Sequence, residues 1–452
     1  MQCVIYKKWL VFVLACGTGL LSTAQEKQPY EMLVDGVKVI VKPSNNEIAV
    51  IQTIIKGGVQ NYPAGKAGIE SLAMNALTEC GTAKDDKNSF KNKLDKVSAQ
   101  VYGYTGMDYA VFVMNCIRSD FNVVWPLYTD ALETPRFDKK EFDRIRQDAI
   151  NILKANASFP DYSIQKLGMQ TAFAGKDYAK SPEGTEQTVS ALTAEGTLAY
   201  YKSILVKSRM LIVVVAEIER AELEQKIHAM LENIPAGDVF TLKKEAYSPK
   251  QNTFKSEKKE LATNYLLALT GGPAAGSPDG DAFNIAMRIF YDRHFLEVRT
   301  NNGLSYAPSA GFSRGLTSMT SVGVSTTDPN KYIKVMQSLV NKTKKEGFKA
   351  EEVAYDKSIY LSDIYYGQET NDAQASSMVR NEILFNNWRR TYTLADDIKT
   401  ITAADLNKAF NKYITNLTWV YQGDPSKVDP SLYTGNTQQK LPASKLTNKK
   451  NK

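Results

Sequence analysis

At 452 residues the chain exceeds one ordinary domain and calls for two or three. Hydrophobic residues at 43% and charged residues at 23% fit a soluble globular protein with substantial cores. The net charge of +7 suggests an acidic partner only until it is located: Lys7 and Lys8 precede the first acid, Glu26; Lys440, Lys445, Lys449, Lys450 and Lys452 follow the last, Asp429; the body between is neutral. That distribution gives no support to a basic nucleic-acid-binding face.

Residues 1–24 read as a secretory signal, with Lys7 and Lys8 ahead of the apolar run WLVFVLACGTGLL and a small-residue cleavage site, Ser22-Thr23-Ala24, before Gln25. The run falls short of the ~20 residues that span a bilayer. Lipid attachment at Cys16 within VLAC is the alternative, and no later segment is apolar enough to span a membrane. The expectation is a soluble protein exported to a bacterial periplasm. Cys80 and Cys116 remain after cleavage. Export permits a disulfide between them, whereas a large domain accommodates them as buried thiols; sequence leaves both open.

VKVIVKP and IAVIQTIIKGG are β-branched runs separated by the polar turn SNNE, hence two strands. IESLAMNALTE follows with Ile69, Leu72, Ala73, Ala76 and Leu77 on one helical face, closed by Cys80-Gly81-Thr82. SAQVYGYTGMDYAVFVMNCI alternates about a central glycine and predicts a hairpin. Helices are expected around FNVVWPLYTDALE and KEFDRIRQDAINILKAN, then helix ALTAEGTLAYYKSIL, strand MLIVVVAEI and helix RAELEQKIHAMLENI.

The same order then returns. NYLLALTGG answers the strand ending KGG, DAFNIAMRIFYDRHFLEVR the first helix, and SYAPSAGFSRGLTSMTSVGVSTT the hairpin. Phe348 and Glu352 match the offsets of Phe137 and Glu141, and ITAADLNKAFNKYITNLTWVYQG answers the segment from Leu192 onward. A repeat of this length is a duplicated α/β (α+β) domain rather than a solenoid. The expected division is a signal at 1–24, domains at 25–235 and 257–430, a polar linker at 236–256 and a Lys-rich tail at 431–452.

A strand ending KGG followed by GIESLAMNALTECGT, with LEVRTNNGLSYAPSAG in the second half, resembles the pitrilysin-type, insulinase-like inverzincin peptidases, family M16, across essentially the whole mature chain. The resemblance implies two domains, each an antiparallel-rich sheet with helices on one face. Active members carry H-x-x-E-H on the first helix, two histidines one turn apart binding Zn²⁺ and a glutamate taking the proton of the metal-bound water. Here Ser71, Met74 and Asn75 occupy those positions, or, one residue along, Leu72, Asn75 and Ala76; neither register supplies a ligand. The further ligand glutamate, expected within RIRQDAINIL, is missing as well. The chain has two histidines: His228 reads as a helix-surface residue and His294 as a half-buried helical one.

In two-subunit members, the chain without the zinc motif supplies an Arg and a Tyr to the substrate, and the matching residues here are Arg299 and Tyr306, with Leu304-Ser305-Tyr306 expected to enter a strand. A guanidinium offers a fork of donors for peptide carbonyls, and a phenol can donate to an oxyanion. The resemblance therefore implies a substrate-gripping subunit with no catalytic residue and no cofactor of its own. Zinc and the general base would belong to an H-x-x-E-H partner, and peptides or unfolded segments would be the substrates. A scaffold subunit and a stand-alone peptide-binding protein are the rival readings.

Overall fold

The computed structural model describes residues 28–435. The expected signal, Cys16, and residues 436–452 of the expected tail lie outside them. The first residues of that tail are folded: Ser431–Thr434 form a short helix in which Tyr433 is buried.

The first sheet contains β1 (Tyr30–Val34), β2 (Val37–Lys42), β3 (Ile48–Lys56), β4 (Gln100–Thr105), β5 (Tyr109–Ile117) and β6 (Met210–Val215), in the order β1-β2-β6-β3-β5-β4. The second contains β7 (Thr253–Lys258), β8 (Asn264–Gly271), β9 (Ser309–Ser313), β10 (Met319–Thr326) and β11 (Thr418–Gly423), in the order β7-β11-β8-β10-β9. Apart from β1, the two orders are the same. In each sheet one pair is parallel (β2 with β6, β7 with β11) and the others are antiparallel. The duplicated α/β architecture read from the sequence is thus present, with β7 as a counterpart of β2 that the sequence reading does not include, and both expected hairpins, β4–β5 and β9–β10, form.

Buried central strands explain the unbroken apolar runs, because a strand covered on both faces has no solvent side to mark with polar residues. On β3, Ile51 and Ile55 face the core that includes Leu72, Ala73, Ala76 and Leu77 of the Ile69–Glu79 helix. Val50 and Ile54 face the opposite way, onto Ala375, Met378 and Val379 of the Asn371–Phe385 helix. That helix comes from the second half. The exchange is reciprocal: Ile164 and Leu167 of the Pro160–Ala172 helix pack on Leu267, Leu269 and Val420 of the second sheet. To the helices that each half packs on its own sheet, the structure adds one lent from the other half, which covers the sheet's second face.

Polar contacts reinforce the exchange. Gln52, buried in β3, donates to Asp372 at 3.1 Å and Ser376 at 3.0 Å, and Lys38 pairs with Glu382 at 2.7 Å. The segment between the halves is extended and anchored, with Gln60 exchanging two hydrogen bonds with the main chain of Lys243 at 2.9 and 3.0 Å and Phe240 stacking under Arg209. Residues 253–256, read as the end of the linker, belong to β7.

Candidate functional site

Two places were singled out by the sequence. In the Ile69–Glu79 helix, Ser71 is half-buried and Asn75 exposed, one turn apart on the outward face. Met74 is fully buried against β4. A Cβ at Gly103 would stand 2.6 Å from the Met74 carbonyl oxygen and 3.1 Å from its side chain, so the strand approaches this helix as closely as glycine permits. In the alternative register Leu72 and Ala76 are both buried in the core. Side chains able to hold zinc stand at none of these positions, and among the described residues no group of three or more His, Cys, Asp or Glu converges.

The neighbouring carboxylates are engaged elsewhere. Glu79 and Glu141 are bridged by Arg144 at 2.7 and 2.8 Å, with Lys87 at 3.6 and 3.3 Å and Lys91 on Glu79. Burial pushes the Glu79 carboxyl up, but Lys91 and Arg144 outweigh it and hold it below the ordinary range.

Sequence reasoning missed the buried network at the start of the same helix. Glu70 is fully buried; its carboxylate accepts from Tyr200 at 2.5 Å, Asn61 at 2.9 Å and Thr105 at 3.1 Å. Arg209 reaches it through the Asn61 side-chain oxygen at 2.6 Å. Burial raises the Glu70 pKa against these donors. The signal available was an acid in the first turn of an otherwise apolar helix, which reads as dipole complementarity rather than a buried hub. The network ties the helix to β3, β4 and the Ala194–Ile204 helix, and so fixes Ser71 and Asn75.

The second place is the end of the Asp279–Phe295 helix, which continues as a π-helical turn over Leu296–Asn301. Arg299 lies on this turn between two rings, 5.0 Å from the centroid of Phe295 and 4.0 Å from that of Tyr306. Its Nη1 donates to the Tyr306 carbonyl at 3.1 Å. Glu297 holds the turn by accepting from Asn301 at 2.9 Å and Asn302 at 3.1 Å. Tyr306 is 78% exposed and precedes the strand instead of entering it; β9 starts at Ser309. The structure therefore brings Arg299 and Tyr306 together and corrects the expected strand position of the tyrosine.

The histidines stand apart from both places. His228 is exposed and meets Asp35 at 2.9 Å. His294 is fully buried rather than half-buried, 3.1 Å from the Tyr332 hydroxyl, and burial lowers its pKa to about 4. Cys80 and Cys116 are separate buried thiols, pushed up by burial to about 12 and about 11.

Residues 191–360 match the family model described as the peptidase M16 inactive domain, a span that includes Arg299 and Tyr306 and excludes Ser71, Met74 and Asn75. The fold matches that of a peptidase M16 inactive domain from Pseudomonas fluorescens with a TM-score of 0.80 at 16% identity, covering 89% of this chain and 100% of that one. The fold of this chain is that of an M16 inactive domain, and positions 71–76 carry no zinc motif. The fold is likewise shared with a protease from Helicobacter pylori, with a TM-score of 0.78 at 15% identity over 87% of this chain and 99% of that one. It is also shared with the periplasmic protease PqqL from Escherichia coli, with a TM-score of 0.77 at 13% identity over 94% of this chain and 49% of that one. No curated protein matches the chain in sequence. No described helix of this chain is long and apolar enough to cross a membrane.

Proposed function

We propose that this chain is the non-catalytic, substrate-gripping subunit of an exported M16 zinc peptidase, working in a heterodimer with a subunit that carries H-x-x-E-H. The observation that supports the reading is the Arg299–Tyr306 pair. A cation preassembled on an exposed phenol, on a π-helical turn of the kind frequent at functional sites, stands in a structure where, among the described residues, no group of metal-ligating side chains converges. Arg299 would hold a peptide carbonyl and Tyr306 would donate to the oxyanion formed in the partner's centre. Zinc would reside on the partner alone. Peptides or unfolded segments are the substrate class, and the periplasm is the compartment.

The test is reconstitution. Purified chain is mixed with an H-x-x-E-H chain from the same cells, complex formation is followed by size-exclusion chromatography, and hydrolysis of a fluorogenic peptide is measured for each chain and for the mixture. The reading expects hydrolysis to require both chains and to be abolished by chelation. Hydrolysis by the partner at the same rate with and without this chain overturns it and leaves a scaffold.

A further inference from the structure

The first half carries a cavity that neither of these places uses. The Pro160–Ala172 helix has two faces. One, bearing Ile164 and Leu167, packs on the second sheet. The other presents Tyr162, Gln165, Lys166, Met169 and Gln170 at helical spacing as one wall of a cavity of about 320 Å³. Tyr178, Ala179 and Pro182 line it from the following segment, and Ala67 and Met107 complete a mostly apolar lining. The volume lies at the lower end of ligand-binding pockets, and two methionines give the wall an adaptable, polarisable surface.

Two ammonium groups meet this apolar lining. Lys166 is half-buried and has no ion pair or hydrogen bond among the described residues. Lys180, its side chain 9% exposed, donates to the Tyr62 carbonyl at 2.6 Å and to Asp177 at 2.7 Å. An ammonium has three protons, so one remains uncommitted. Of the nearby acids, Asp177 is taken up by Lys180, and Glu183, next in sequence to the lining residue Pro182, is exposed and accepts from the Ser181 hydroxyl at 2.5 Å. A second cleft of about 540 Å³ shares Ala64, Ala179 and Lys180 with the cavity and is lined by Tyr62, whose buried hydroxyl has no hydrogen-bond partner. Beside this apolar surface Lys166 lacks a counter-ion among the described residues and Lys180, already paired with Asp177, keeps one free proton, which selects a ligand with both characters: a hydrocarbon to displace water, and an anion to pair with Lys166 and accept from Lys180.

We propose that this cavity binds an apolar group carrying a carboxylate, the apolar part against Met107, Met169 and Pro182 and the carboxylate on Lys166 and the remaining proton of Lys180. Two sources offer that chemistry, a free apolar acid and the C-terminal residue of a peptide. The proposal is independent of the role of Arg299 and Tyr306.

The test is calorimetric titration of the full mature chain with octanoate, octanamide, a hexapeptide ending in phenylalanine, and the same peptide amidated. At least one free acid binds, and its amide binds about tenfold more weakly, as expected for a lost charge-assisted hydrogen bond. Lys166→Met weakens the acid about tenfold and leaves the amide unchanged. Met169→Trp, checked for folding by circular dichroism, fills the cavity and removes binding; if that variant does not fold, Lys166→Met decides alone. Binding of octanoate identifies a free acid, and binding of the peptide identifies a C-terminal residue. Absence of binding by both acids at millimolar concentration, equal binding of acid and amide, or full binding by folded Met169→Trp overturns the proposal.

Discussion

The Arg299 guanidinium lies over the Tyr306 ring at 4.0 Å and donates to the same residue's main-chain carbonyl at 3.1 Å. One cation thus fixes both the ring and the backbone of an exposed tyrosine, and Phe295 supports it from the other side at 5.0 Å. Under the proposed function this preassembly would reduce the ordering cost of engaging a substrate.

Tyr306→Phe keeps the stacking and the carbonyl contact and removes only the exposed hydroxyl. Stability should stay within ~0.5 kcal/mol, as for surface substitutions, and assembly with the partner should be unchanged. A full oxyanion donor is worth ~10²–10³ in rate, and in the proposed mixed complex the loss is expected at or below the lower end, since a metal on the partner would share the charge. Arg299→Ala should mainly raise KM, because a clamp on a peptide carbonyl acts on ground and transition states alike. Steady-state hydrolysis by the reconstituted complex, with chromatographic control of assembly, gives both readings. If both variants assemble with full activity, the pair is structural.

Installing the motif should not restore an active centre. Asn75 can accept a histidine on the exposed face, but Met74 is fully buried against β4, where Gly103 already marks the limit of approach. Met74→Glu therefore places a carboxyl among apolar atoms without a partner, at a cost of roughly 3 kcal/mol or more. The combined Ser71→His, Met74→Glu, Asn75→His variant should show a markedly lower urea midpoint than the parent, bind no stoichiometric zinc by metal analysis and hydrolyse no peptide. Chelator-sensitive proteolysis by that variant alone would contradict this account of the helix.

The order of strands and helices was legible because duplication repeats the same patterns, such as VKVIVKP with IAVIQTIIKGG and the two glycine-centred hairpins. The helices that join the halves were not. Asn371–Phe385 buries Asn371, Asn381 and Glu382 beside Met378 and Ile383, so polar residues interrupt its apolar stripe. Pro160–Ala172 buries a glycine at its contact with the second sheet. Their partners lie far away in sequence, beyond any local pattern. Tyr306 was misplaced for a related reason: Leu304-Ser305-Tyr306 has strand-like residues, yet the Arg299 contact and the bond from the Leu304 amide to the Val298 carbonyl, at 2.9 Å, hold the segment against the helix end.

His294 should make stability fall on acidification. Burial lowers its pKa to about 4, against an ordinary value of 6.5, so the unfolded chain takes up a proton that the folded chain refuses. Stability is lost as pH falls from about 6.5 toward 4, by up to about 3 kcal/mol from this residue. Buried Glu70 and Asp108, whose pKa values are raised, act in the opposite sense, gaining stability as pH falls through their own titration range. His294→Gln retains a group able to bond the Tyr332 hydroxyl and removes the titration. Urea midpoints of the two proteins between pH 7 and 4 should therefore diverge, the parent falling more steeply. Parallel curves would show that folding does not lower the His294 pKa.

The exchange of helices between halves makes Gly168 a sensitive position. A Cβ there would come within 2.7 Å of Leu267 Cδ2 and 3.1 Å of Leu269 Cδ1, both residues being buried. Helix propensity alone favours replacement, since glycine costs about 1 kcal/mol relative to alanine in a helix interior. Overpacking a tight contact costs ~1–3 kcal/mol, which cancels or exceeds that gain. Gly168→Ala should therefore fail to raise Tm. Gly168→Val, with two more carbons and a β-branched side chain in a helix, should lower it by several degrees. Because each half supplies a helix to the other half's sheet, the loss should lower one cooperative transition rather than split it in two. Differential scanning calorimetry of the three proteins reads both quantities. A raised Tm for the alanine variant, or separate transitions for the two halves, would mean that this helix does not bind the second sheet as tightly as the glycine contact indicates.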